Sequence, residues 1–118
     1  MIKVVTKENV VLTPTDAVGF VNVLKCVPLR TKNLAVRVFE IAPGGYTDLH
    51  KHGHVHMNFV QYGTLGIFTT NRDKPQYILK AGDFCSIDSR DQHRYKNMSN
   101  TPVRFICVTE ATAEQDAK

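Results

Sequence analysis

Residues 50–56 read His50-Lys51-His52-Gly53-His54-Val55-His56 and hold four of the chain's five histidines, all at alternate positions. The fifth histidine, His93, lies far along the chain. On a β-strand, residues two apart point to the same face and lie roughly 6.5–7 Å apart. His50 and His52 are therefore predicted to form a clamp whose two imidazoles converge on one metal ion.

The segment must bend if its outer histidines are to share an ion. A straight strand would place His50 and His56 about 20 Å apart at roughly 3.3 Å per residue, whereas nitrogen ligands lie about 2 Å from a metal. Gly53 is expected to permit the bend, because a glycine adopts backbone angles that its neighbours cannot. His54 and His56 share parity with His52, so the spacing leaves open which of them is the third ligand.

An alternative interpretation is a polar strand face whose histidines are exposed to water and bind nothing. Four histidines within seven residues, with a glycine between them, favour the metal site instead, because imidazole is the commonest metal ligand in proteins.

The chain as a whole has the composition of a globular protein. Its 118 residues are 42% apolar and 22% charged, and they are expected to form one domain over residues 1–118. The net charge of +4 comes from scattered lysines and arginines. No basic stripe predicts a nucleic-acid partner.

The sequence carries no pattern typical of export or of the membrane. Residues 1–9 lack the apolar core of a signal peptide, and no segment is apolar for long enough to span a bilayer. Cys26, Cys85 and Cys107 are odd in number and widely spaced, which fits neither a disulfide framework nor a paired-cysteine zinc motif. A cytoplasmic location is expected.

Short apolar stretches between turn residues predict an all-β fold of antiparallel strands. Tight reversals are expected at Pro43-Gly44-Gly45, at residues 71–75 and at Ala81-Gly82-Asp83. The tail, residues 111–118, is predicted to fray. The predicted strands are residues 18–27, 34–41, 54–62, 65–70, 76–80, 84–87, 93–96 and 103–109.

The histidine segment resembles the first motif of the cupin family. That motif runs glycine, five residues, His-x-His, three or four residues, glutamate, six residues, glycine. The corresponding positions are Gly44, His50, His52, His56 and Gly63, with a histidine in place of the glutamate.

A second pattern resembles the second cupin motif, which runs glycine, five residues, proline, one residue, glycine, two residues, histidine, three residues, asparagine. The corresponding positions are Gly82, Asp88, Arg90, His93 and Asn97. The proline and the second glycine are replaced, and both are turn positions. Two spaced patterns in the family's order are more specific than either alone.

The resemblance implies a double-stranded β-helix, or jelly roll, of two antiparallel sheets with a metal ion inside the barrel. By motif position the ligands are His50, His52, His56 and His93, as in the four-histidine subgroup of small cupins, and His54 becomes a loop residue. A homodimer is also implied. Imidazole ligands suit several divalent ions, and cupin precedent favours iron or manganese over zinc, nickel or copper.

Strand parity predicts which other side chains line the pocket. If His56 points inward, so does Asn58, and His93 likewise carries Tyr95 inward. On the last strand, Phe105 and Cys107 share the drier face. These residues are the candidates for a small-molecule substrate pocket, although Tyr95 could equally close the barrel mouth and Cys107 could serve only in packing.

Four neutral ligands leave two coordination positions on a six-coordinate ion, which favours an oxidoreductase of dioxygenase type acting on a small organic substrate. A non-redox metalloenzyme, such as a lyase, isomerase or cyclase, is the first alternative. A small-ligand-binding cupin without catalysis is the second. No particular residue is predicted to be catalytic.

Overall fold

The computed structural model describes residues 1–15 and 17–113, and most of them lie in β-strands. No helix in these residues is long and apolar enough to cross a membrane. All strand pairings are antiparallel. After a 3-10 turn at Lys7–Asn9 come β1 (Thr13–Pro14), β2 (Phe20–Arg30), β3 (Leu34–Thr47), β4 (His56–Tyr62), β5 (Thr64–Phe68), β6 (Tyr77–Lys80), β7 (Phe84–Ile87), β8 (Arg94–Asn97) and β9 (Val103–Glu110).

Strand β3 joins the two walls of the barrel. Its first part pairs with β9 from Leu34 to Ile41, and its end pairs with β8 through Tyr46. The hydrogen-bonded order is β6-β5-β8-β3-β9-β4-β7, with β2 also paired to β3. The predicted all-β barrel of antiparallel strands is confirmed, and in the described residues its strands form one continuous hydrogen-bonded sheet, because β3 continues around the corner.

The core lies between these walls. Tyr95 of β8 packs on Phe105 of β9 with ring centroids 4.9 Å apart, and Phe105 stacks on Phe39 of β3 at 5.3 Å. These contacts hold together the strands that carry the histidines. The buried cluster comprises Val23, Phe39, Ile41, Val60, Leu65, Ile67, Ile87, Tyr95, Val103, Phe105 and Cys107.

The predicted reversal at residues 43–45 is wrong, because β3 runs through it. Gly44 has a φ of +79°, and a Cβ on Gly45 would come within 2.8 Å of the Val21 carbonyl oxygen. The two glycines therefore let β3 bend where it pairs with β2 without interrupting the strand. As a result β3 ends at Thr47 instead of at the predicted residue 41.

Strand β4 begins at His56, two residues later than predicted, because residues 53 and 54 form a bend. The predicted bend is present, but its predicted cause is wrong. Gly53 is not among the residues with positive φ, and a Cβ added there would meet no atom within 4 Å. The residue before the bend is tied to a distant loop, because the His52 carbonyl accepts from the Arg90 amide.

Asn97, the last position of the second motif, fastens the end of β8. Its side-chain Nδ2 donates to the carbonyl oxygens of Ile41 and Thr101, each at 2.8 Å, and its Oδ1 accepts from the Ser99 amide at 2.8 Å. The side chain is buried. This asparagine therefore ties the loop after β8 to the corner of β3.

The beginning of the tail packs against the barrel. Ala111 and Ala113 are buried, and the Ala111 amide donates to the Asn33 carbonyl at 2.9 Å. Residues 114–118, which make up most of the tail predicted to fray, lie outside the described residues.

Arg90 stands where the second motif has glycine, and it keeps the glycine conformation with a φ of +71°. Its amide donates to the His52 carbonyl, so this conformation helps connect the two histidine-bearing loops. A left-handed conformation costs a non-glycine residue roughly 1–2 kcal/mol.

The substitution Arg90→Gly is expected to raise the free energy of unfolding by about 1 kcal/mol, because it removes this strain while keeping the backbone bond. Urea unfolding of both proteins measures the difference. Ser89→Gly is the matched control, since Ser89 is also exposed but has no positive φ, and it should be neutral or destabilising. A destabilised Arg90→Gly variant would contradict this account of the turn.

Candidate metal centre

His50 and His93 are held side by side by their own backbones. They form an isolated antiparallel bridge in which the His50 amide donates to the His93 carbonyl at 3.0 Å and the His93 amide donates back at 2.8 Å. His50 follows β3, and His93 directly precedes β8. The bridge thus joins the first histidine of one motif to the histidine of the other, and their ring centroids lie 4.8 Å apart.

The two rings are oriented in the same way. Nδ1 of His50 donates to the carbonyl oxygen of Asp48, and Nδ1 of His93 donates to that of Asp91 at 2.8 Å. A carbonyl oxygen only accepts, so the proton of each neutral ring lies on Nδ1. Each Nε2 therefore carries a lone pair, which is the arrangement found where histidine binds a metal.

His52 completes a cluster of three histidines. Its ring centroid lies 4.4 Å from that of His50 and 5.6 Å from that of His93. One ring nitrogen from each of the three lies within 4.8 Å of the others. Bonds of about 2.0–2.1 Å require nitrogens roughly 3–4 Å apart, so movements of about 1 Å would close the cluster on an ion. These residues fit a metal.

His56 lies at the border of this cluster. It is the first residue of β4, and its ring centroid lies 5.1 Å from that of His52 and 5.7 Å from that of His93. The side chain is only 3% exposed. Its Nδ1 accepts from Arg37 Nη2 at 2.7 Å, while its Nε2 is buried without a hydrogen-bond partner.

His54 lies in the bend outside the three-histidine cluster. Its ring centroid is 6.4 Å from that of His52. Between the two residues that parity alone left open, His56 is the one that the structure brings near His93.

Burial favours the neutral form of three imidazoles, those of His52, His56 and His93. It is the largest cause that lowers the pKa of His52 to about 4, assisted by the neighbouring His50. Burial likewise lowers the pKa of His56 to about 3, with the positive charge of Arg37 as the next cause, and burial also lowers the pKa of His93. A neutral imidazole is the form that binds metal, so none of these three rings needs a net loss of a proton to act as a ligand at pH 7.

The histidines open into a small cavity of about 40 Å³. Of the sequence-predicted pocket residues, Tyr95, Phe105 and Cys107 line it, and Asn58 does not. Asn58 lies behind Tyr95 and donates to its hydroxyl oxygen at 2.9 Å. Burial raises the pKa of Tyr95, which keeps the phenol neutral. The other lining residues are Phe20, Val23, Arg37, Phe39, Ile41, Thr47, His50, His52, His56 and His93.

Arg37 is the charged site residue that sequence reasoning missed. It is 8% exposed, and its Nη2 donates to Cys107 Sγ at 3.1 Å as well as to His56. Its guanidinium also lies over the Phe39 ring, 5.3 Å from the centroid. The available signal was parity, because Arg37 shares the inward face of β3 with Phe39 and Ile41. An arginine on the apolar face of a strand indicates a buried positive charge.

The fold and the site together define the class of this protein: it is an antiparallel β-barrel whose cavity holds a cluster of histidines that could bind a metal ion. Residues 37–109 match the cupin domain family, and since they make up more than half of the chain, the protein belongs to that family. The homodimer expected from the cupin resemblance stays a prediction.

A curated relative is the oxalate-binding protein of Thermotoga maritima. It is 37% identical over 71 residues, which are 58% of this chain and 55% of the relative. The chain thus spans about half the length of this relative.

Two solved structures show the same fold. The polyketide cyclase RemF from Streptomyces resistomycificus has a TM-score of 0.85 at 19% identity, over 94% of this chain and 80% of the cyclase. A predicted oxalate decarboxylase from Thermotoga maritima has a TM-score of 0.77 at 24% identity, over 92% of this chain and 99% of that protein. Identities this low establish the fold alone.

The lowered pKa values predict how the stability of the metal-free protein depends on pH. The pKa values of folded His52 and His56 lie below the ordinary 6.5, so the unfolded chain binds protons first as the pH falls. Their contribution to stability is therefore complete above about pH 6.5 and decreases as the pH falls toward the folded-state values.

Urea unfolding with a chelator between pH 6.5 and 5 measures how steeply the free energy of unfolding changes with pH. This slope reports the number of protons taken up on unfolding, and His52→Gln is expected to reduce that number by up to about one. Unchanged stability across this range in the wild-type protein would contradict the buried neutral cluster.

Proposed function

We propose that this chain is a metal-dependent cupin that binds one divalent transition-metal ion through His50, His52, His56 and His93. The observation that carries the four-ligand set is the buried Nε2 of His56, which has no hydrogen-bond partner. Leaving a buried polar atom without a partner costs about 1–3 kcal/mol. A ligand bond from this nitrogen, once its proton has moved to Nδ1, would remove that cost.

Iron or manganese is proposed on the cupin resemblance, and imidazole nitrogens suit either ion. When bound, such an ion supplies positive charge that polarises an anionic substrate and, if redox-active, electrons for dioxygen.

The ligand set is tested by metal content in alanine variants of the protein purified without chelator. His52→Ala and His56→Ala are both expected to reduce metal occupancy at least about tenfold, because each removes one nitrogen bond. His54→Ala is the matched control and should keep its metal, since the His54 ring centroid lies 6.4 Å from that of His52, whereas that of His56 lies 5.1 Å from it. Full metal occupancy in His56→Ala would show that the site has three histidine ligands rather than four.

We further propose that the centre takes a small carboxylate. The lining residues, all within the described part of the chain, include the cation Arg37 and no aspartate or glutamate. A divalent ion beside Arg37 would place three positive charges in one small cavity, and repulsion between them is strong where little water enters. An anion supplied by the substrate would offset this charge, so metal and carboxylate should favour each other's binding.

Arg37 has a specific role in this proposal. In the metal-free protein it donates to Nδ1 of His56, so the proton of that neutral ring lies on Nε2. If His56 binds the metal through Nε2, its remaining proton belongs on Nδ1, which then no longer accepts from Arg37. Metal binding would therefore release an arginine Nη2–H for the carboxylate, and guanidinium pairs well with carboxylate oxygens.

The proposed reaction is an oxidation of dioxygenase type. Lyase, isomerase and cyclase reactions commonly need a base that accepts a proton, and the cavity offers no carboxylate for this purpose. Its phenol is kept neutral because burial raises the pKa of Tyr95. Four neutral ligands, which leave positions on the ion for substrate and dioxygen, support the oxidative reaction instead.

The second candidate is carboxylate binding without catalysis. The relative that favours it is named as an oxalate-binding protein and is 37% identical over 71 residues. Oxalate is therefore the first ligand to test.

An oxygen electrode and carboxylate analysis separate the two candidates. Iron- or manganese-loaded protein is expected to consume dioxygen with at least one member of a panel of small carboxylates that includes oxalate. Carboxylates that bind but are recovered unchanged across the panel would select the second candidate. Arg37→Met should lower carboxylate affinity about 10- to 100-fold, the range for one charged hydrogen bond, and unchanged affinity would remove Arg37 from the site.

A further inference from the structure

A second and larger cavity lies where the barrel is not closed by hydrogen bonds. Strands β6 and β7 are the two ends of the strand order, and a cleft of about 690 Å³ opens between them. Its walls come from β5, β6, β7 and the residues just before β8. Residues that line it are Ile67, Thr69, Tyr77, Leu79, Phe84, Cys85, Ser86, Ile87, Asp91, Gln92 and His93.

The size of the cleft suits an organic molecule. Sites for small ligands commonly measure about 300–1,000 Å³ and combine apolar walls with a few polar groups. The metal cavity, at about 40 Å³, has room for little beyond an ion and a very small ligand. A ring-bearing ligand therefore fits the cleft and not the metal cavity.

The mouth of the cleft exposes aromatic surface. Phe84 is 73% exposed and Tyr77 is 61% exposed, whereas Ile67 and Ile87 within the cleft are buried. Large apolar side chains exposed around a concave site indicate a bound partner. Aromatic faces also attract organic cations.

The charge of the cleft is opposite to that of the metal cavity. Asp91 is the acidic residue of its lining, and no lysine or arginine is among the lining residues in the described part of the chain. Thr69, Ser86 and Gln92 add uncharged polar groups. A carboxylate ligand would meet repulsion here, whereas an ammonium group would be attracted.

We propose that this cleft is a second binding site, which takes an aromatic amine with its ring against the apolar wall and its ammonium group at Asp91. This site does not depend on the proposed metal or its substrate. It does adjoin them, because the Asp91 carbonyl accepts from the His93 ring and both residues line the cleft.

Three probes that share one ring system test the proposal: tryptamine, which is cationic, indole, which is neutral, and indole-3-acetate, which is anionic. The full chain is titrated with each by amide NMR, once with zinc and once with chelator. Tryptamine is expected to bind tightest, about fivefold better than indole, which corresponds to one exposed ion pair. Indole-3-acetate should bind weakest, and the amides of residues 84–87 and 91–93 should shift.

Two substitutions and one control variant locate the interaction. Asp91→Asn is expected to remove the preference for tryptamine over indole, and Asp73→Asn, on an exposed residue outside the cleft, should retain it. Tyr77→Ala should weaken the binding of all three probes. The Tyr77 side chain is 61% exposed, so its removal should leave the fold intact. The proposal is overturned if no probe binds at millimolar concentration, if indole-3-acetate binds best, or if Asp91→Asn keeps the preference. Because the titration is repeated with chelator, a failed metal site would leave this outcome unchanged.

Discussion

The backbone bridge between His50 and His93 is the constraint on which the rest of the site depends. Two hydrogen bonds, of 3.0 and 2.8 Å, join the loop after β3 to the residue before β8. The bond from the Arg90 amide to the His52 carbonyl is a further link between the two motifs. With the bridge in place, both rings stand side by side, and the carbonyl groups of Asp48 and Asp91 fix the same tautomer in each. Metal affinity should therefore depend on backbone geometry as well as on the imidazoles.

The barrel around this bridge sets the electrostatics. Burial lowers the pKa values of His52, His56 and His93, so the rings stay neutral in water near pH 7. Neutral rings bring no negative charge to offset a divalent ion, and Arg37 adds a positive one. The balance of charge in the cavity is thus incomplete without an anion, which connects the metal proposal to the carboxylate proposal.

Much of the fold could be predicted from periodicity and turn residues, because antiparallel strands with one buried face alternate visibly in sequence. Where prediction failed, long-range contacts decided the result. Strand β3 continues through Pro43-Gly44-Gly45 because β2 pairs with it on both sides of the corner, at Ile41 and at Tyr46. Strand β8 also pairs with it at Tyr46. The bend at residues 53 and 54 directly follows His52, whose carbonyl accepts from the Arg90 amide of a loop far away in sequence.

The three clustered histidines were all identified from spacing and from the cupin resemblance. Arg37 was missed because a single arginine in an apolar strand gives no indication of its partners, and its contacts with His56 and Cys107 span 19 and 70 residues of sequence. The cleft between β6 and β7 could not be predicted either, since it forms where two strand edges fail to pair.

X-ray absorption spectroscopy of the manganese-loaded protein tests the central claim most directly, because it counts the atoms bound to the ion. The account predicts four imidazole nitrogens, with the remaining positions filled by oxygen. Three imidazoles, or a sulfur from the nearby Cys107 in the first shell, would contradict the four-histidine centre.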